Sequence, residues 1–114
     1  MSETPQMPSD LCESGRRLWS SVLDEFDPAE YEVALLIQAA RTLDALDALQ
    51  SELIADGPII DSPQGRKAHP ALAELRQQRV VLARLLAALG LRDGEQDSTA
   101  RAPRGVYQPQ AARS

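Results

Sequence analysis

The chain has 114 residues, 25% of them charged and 43% hydrophobic, the size and mixture of one globular domain. Only Trp19, Phe26, Tyr31 and Tyr107 are aromatic, against 17 alanines and 16 leucines, a helix-forming vocabulary that argues against a β-sandwich or barrel. One cysteine (Cys12) and one histidine (His69) exclude an internal disulfide framework and a Cys/His metal cluster. No apolar run approaches the roughly 18 residues that read as a membrane span.

The N-terminus has neither a basic region nor an apolar stretch, so it does not read as a signal peptide, and a cytoplasmic location is expected. The net charge of −5 is unevenly spread. Residues 1–56 hold 3 basic and 12 acidic side chains, residues 57–114 hold 9 and 5. Opposite halves suit mutual packing, within a chain or between subunits. Nucleic-acid binding by so acidic a chain has to be focused on a patch.

Residues 1–10, with Pro5 and Pro8 among small polar residues, read as a flexible arm. A first helix is expected from about Leu11 to Glu13 onward, with Leu11, Leu18, Trp19, Val22, Leu23 and Phe26 on one face. Gly15 weakens it by about 1 kcal/mol relative to alanine, which favours a start after Gly15 with Ser14 as cap. Asp27-Pro28-Ala29-Glu30 is a start signal for a second helix: Asp27 as cap, Pro28 at the first position and Glu30 closing a capping box. This helix runs uninterrupted to Asp56 and stops at Gly57-Pro58. At 1.5 Å per residue it is roughly 42 Å long. Leu35, Leu36, Ala39, Leu43, Leu46, Leu49, Leu53 and Ile54 cover an arc wider than one partner helix requires, so two neighbours are expected. Arg41, Ala45, Glu52 and Asp56 lie opposite.

Residues 57–68 read as a connection, with at most a short extended stretch at Ile59 and Ile60. A third helix opens at His69-Pro70 and closes at Gly90, with Leu72, Leu75, Leu82, Leu85, Leu86 and Leu89 as its stripe. The second and third helices should pair antiparallel, their acidic and basic flanks meeting. Residues 92–114 carry Val106 and Tyr107 as their only sizeable apolar side chains and read as a disordered tail. The expected architecture is all-α: a helical core over 11–91, made of a short first helix and a long helical hairpin.

No Gly-x-x-x-x-Gly-Lys-Ser/Thr loop is present, so nucleotide binding by that route is excluded. His69 would have to serve any serine or cysteine nucleophile, and beside Pro70 it reads as a loop or capping residue. Asp44 and Asp47 share a helix face and read as a solvated face or subunit contact rather than an acid/base pair. No catalysis, cofactor or metal is expected. The adjacent basic pairs are Arg16-Arg17 and Arg66-Lys67; as phosphate contacts they gain meaning when several copies converge in an oligomer.

The order of features is more specific than any one of them. Gly15-Arg16-Arg17-Leu18-Trp19 precedes Asp27-Pro28-Ala29-Glu30, then Leu35-Leu36, Ala39-Ala40, Asp44 and Ile54-Ala55-Asp56-Gly57. After Gly65 come His69-Pro70, Glu74-Leu75-Arg76 and Leu85-Leu86-Ala87-Ala88-Leu89-Gly90-Leu91. Over about residues 12–92 this resembles the small terminase subunits of tailed bacteriophages. The resemblance implies a non-enzymatic packaging factor in the bacterial host cytoplasm. Such a protein forms a ring, recognises viral double-stranded DNA and presents it to a large subunit that carries the ATPase and nuclease. Candidate DNA contacts are Arg66 and Lys67, then Arg16 and Arg17. Candidate ring contacts are Leu35, Leu46, Leu49 and Leu53, and Arg101, Arg104 and Tyr107 are candidates for docking the tail on the large subunit. With no basic arm and no helix-turn-helix, DNA recognition falls to the ring surface, DNA shape or the arginine-containing tail. The other readings are a helical scaffold or connector without a DNA role, and a small helical regulator such as an antitoxin.

Overall fold

A computed structural model describes residues 4–90. Along the chain come α1 (Glu13–Glu25), α2 (Glu30–Asp56), β1 (Ile59–Ser62), β2 (Gly65–Ala68) and α3 (Pro70–Leu89). The fold is mostly helical, but not all-α. The segment expected as a plain connection is an antiparallel hairpin pairing Ile59 with Ala68, Ile60 with Lys67, Asp61 with Arg66 and Ser62 with Gly65. Pro63 and Gln64 form its turn without positive φ, and Gly65 at φ 116° supplies the reversal that an L side chain resists. The Ser62 hydroxyl donates to the Gly65 carbonyl at 2.6 Å, tying the two ends of the turn.

Helix α2 is the axis of the molecule. Asp56 meets His69, Gln50 meets Arg79, and Leu36 shares a core cluster with Leu89, so α3 runs antiparallel along it as expected. Helix α1 packs on α2 as well, and Leu11, Trp19, Val22, Leu36, Ala40 and Leu89 form one buried cluster. Two neighbours from its own chain therefore cover the apolar arc of α2 from Leu35 to Leu46, while Leu53 lines an open groove and Ile54 is exposed at its C-terminal end. The opposite residues Arg41, Ala45, Glu52 and Asp56 are exposed. The acidic and basic halves meet less than expected: Glu13 pairs with Arg17 and Asp10 with Arg41, all within the acidic half. Across the hairpin stand the Asp56–His69 pair and a long Arg79–Gln50 hydrogen bond.

Two helix starts differ from the sequence reading. Helix α1 begins at Glu13, ahead of Gly15, and Ser14 is not its cap. Helix α2 begins at Glu30 with Ala29 at the N-cap, so neither Asp27 nor Glu30 plays its expected part. The buried Glu32, at the third helical position, instead turns its carboxylate back to accept the Ala29 N–H at 2.8 Å, the half of a capping box expected from Glu30. The end of α3 is as read, with Gly90 left-handed at φ 72°. Residues 4–10 form neither helix nor strand; Met7 packs against the core, and Asp10 bonds Arg41 at 2.9 and 3.1 Å. The expected disordered tail, 92–114, lies outside the described residues.

Candidate functional site

The first basic pair, Arg16-Arg17, is placed by how α1 is seated. Cys12 occupies the N-cap but makes no side-chain cap, leaving the first N–H groups of α1 without a local acceptor. Asp44, from the middle of α2, takes that role: its carboxylate accepts the Cys12 N–H at 2.6 Å and the Gly15 N–H at 2.7 Å. One turn on, Asp47 accepts the Ser14 hydroxyl. An anionic acceptor at a helix N-terminus gains from both the hydrogen bonds and the helix dipole. Asp44 and Asp47 are thus an in-chain clasp on α1, not a free acidic face. Sequence reasoning had no signal for it beyond their spacing, since the groups they hold lie about thirty residues away.

Both arginines face solvent, but they are not equivalent. Arg17 pairs with Glu13 one turn away at 3.2 Å, which offsets part of its charge, whereas Arg16 forms no ion pair among the described residues. The second pair, Arg66-Lys67, stands on β2 with both side chains exposed and without ion pairs among the described residues. Its support is a strand pair, not the loop expected from the glycines and prolines. That hairpin is anchored at its base, where the His69 N–H donates to the Pro58 carbonyl at 2.8 Å. His69 Nδ1 accepts the Ala71 N–H at 3.0 Å, so Nε2 carries the proton and donates to Asp56 at 2.9 Å. The histidine caps α3, as its position beside Pro70 suggested, and also joins the end of α2 to the start of α3.

The structure does not bring the two basic pairs together. Arg16-Arg17 follow Gly15, which packs against Ala40 and Asp44, while the hairpin springs from α2 after Asp56, roughly 20 Å of helix further on. The candidate ring residues also separate. Leu46 is buried within the chain, and Leu35 packs against the core cluster. Leu49 is half-buried, and Leu53 lines an open groove between α2 and α3. Arg101, Arg104 and Tyr107 lie outside the described residues. Among the described residues there is no group of three or more metal-ligating side chains, and no helix is long and apolar enough to cross a membrane. No protein-family model, curated protein or solved structure matches the chain.

Proposed function

We propose that the protein is a non-catalytic DNA-packaging adaptor of the small terminase subunit kind. In this reading it assembles into a ring in the host cytoplasm, engages viral double-stranded DNA and hands it to the large subunit, needing no cofactor. The motif order over residues 12–92 motivates the reading, and the observation that carries it is the β1–β2 hairpin. Arg66 and Lys67 stand on it exposed and, among the described residues, without ion pairs, beyond the end of the helical pair. Phosphate contacts require such uncommitted cations, and a two-stranded ribbon fits within the width of a major groove. One copy offers two charges; a ring repeats them once per subunit. Asp61, opposite Arg66, limits what a single hairpin contributes.

The test is light-scattering mass followed by DNA binding at two salt concentrations. A ring whose DNA affinity falls steeply with salt supports the adaptor. A ring without DNA binding supports the scaffold, and a stable dimer the regulator. In an intact ring, Arg66→Ala with Lys67→Ala should weaken binding about uniformly across sequences and flatten the salt dependence. An unchanged salt slope would remove the hairpin from the DNA contact. Because both side chains are exposed and make no ion pair among the described residues, folding stability should change by less than about 0.5 kcal/mol.

A further inference from the structure

The groove between α2 and α3 is lined by the apolar Leu53, Leu72, Leu75 and Val80 together with Arg76 and Arg79. Val80 is 45% exposed, and Ile54, beside Leu53 in sequence, is 74% exposed. Among the described residues Arg76 has no ion-pair partner, and Arg79 makes a 3.5 Å bond to Gln50. The other end of the molecule carries the opposite chemistry. Asp24, Glu25, Asp27 and Glu30 crowd the corner between α1 and α2, all exposed and without ion pairs among the described residues, next to Tyr31 at 57% exposure. From Tyr31 to Gln50 is roughly 28 Å along α2, so the two patches cannot meet within one chain.

We propose that the groove receives the acidic corner of a second copy of this chain, Arg76 and Arg79 facing Glu25 and Asp27 while Tyr31 covers the apolar lining. Charge selects this pairing over a two-fold one. Groove against groove sets arginines against arginines, and corner against corner sets carboxylates against carboxylates, whereas groove against corner is complementary. A contact between two different patches is head-to-tail, and it closes into a ring when the rotation per subunit allows. The inference rests on the assembly part of the reading above and supplies the surfaces it needs. Of the four expected contact residues it keeps Leu53 and drops Leu35, Leu46 and Leu49.

The experiment is charge reversal on the full chain, read by light-scattering mass, with helix content checked by circular dichroism. Arg76→Glu with Arg79→Glu, and separately Glu25→Lys with Asp27→Lys, should each weaken self-association by about tenfold or more. All four changes in one chain should restore it, because the complementarity is inverted rather than lost. Unchanged mass in both reversed chains, or no recovery in a folded fourfold variant, overturns the contact while leaving assembly through another face open. A monomeric wild type at micromolar concentration overturns the contact and the ring together. Recovery in a chain that binds no DNA sustains the contact and overturns only the packaging reading.

Discussion

At Gly15, inside the first turn of α1, alanine would be favoured by about 1 kcal/mol on helix propensity alone. The packing reverses that preference. A Cβ there would overlap the Asp44 carboxylate and approach the Ala40 backbone carbonyl to 2.9 Å. The carboxylate side chain can swing away only by giving up the Cys12 and Gly15 N–H groups, and the carbonyl belongs to a rigid helix. Gly15→Ala should therefore destabilise the protein by about 1–3 kcal/mol, seen as a lower urea midpoint. A midpoint at or above wild type would mean that α1 shifts on α2 without loss. The glycine was legible in the sequence as a weakness in a helix. Its purpose was not, because the atoms it makes room for belong to a residue 29 positions away.

The elements differ in what holds them. Helix α3 has its own start and stop, His69-Pro70 and Gly90, and these local signals predicted its bounds. Helix α2 is long enough that its interior was unmistakable, but its first turn depends on Glu32 reaching back to Ala29. The hairpin is short, and a two-stranded ribbon is marginal by itself, so its order relies on its attachment. His69 is the attachment: its N–H bonds Pro58, its ring caps α3, and its second nitrogen reaches Asp56. His69→Ala should cost about 0.5–2 kcal/mol, the range for a lost N-cap. Hydrogen exchange should quicken at Ala71 and across β1 and β2, with Leu89 changing least. Equal acceleration throughout α3 would show that the histidine adds only to global stability.

At the scale of the whole molecule, the chain before α1 is tied to the body by Leu11 and Met7 in the core and by Asp10 on Arg41. The Arg41 guanidinium, through its hydrogen bond, holds the Asp10 carboxyl below its ordinary value of 3.8. A carboxyl lowered on folding stabilises the folded state above that ordinary value, and the contribution is lost as pH falls through the lowered one. Arg41→Ala should return the Asp10 titration, followed by NMR, to the ordinary carboxylate range and remove that acid dependence. An unmoved titration would mean that the pair does not persist in solution. Because both side chains are exposed to water and salt, the effect on overall stability should be small.

Three helices, the antiparallel run of α3 along α2 and much of the core could be read from the sequence, because the 3.6-residue period and the caps are local properties of the chain. Ile54, expected on the apolar face, is exposed, and the burial of Glu32 was not foreseen. The exposed basic pair at 66–67 was legible for the same reason. The hairpin under that pair was not, since residues 59–68 show no period-two alternation of apolar side chains, and their pairing comes from the turn and from anchoring at His69. The Asp44–Asp47 clasp, the need for Gly15 and the in-chain covering of the α2 arc from Leu35 to Leu46 were decided only by tertiary structure. Each depends on which groups far apart in the chain are brought within hydrogen-bonding or van der Waals distance. Whether a wide apolar arc serves a neighbouring helix or a neighbouring subunit is likewise invisible in its width, and here α1 takes the share first assigned to another copy.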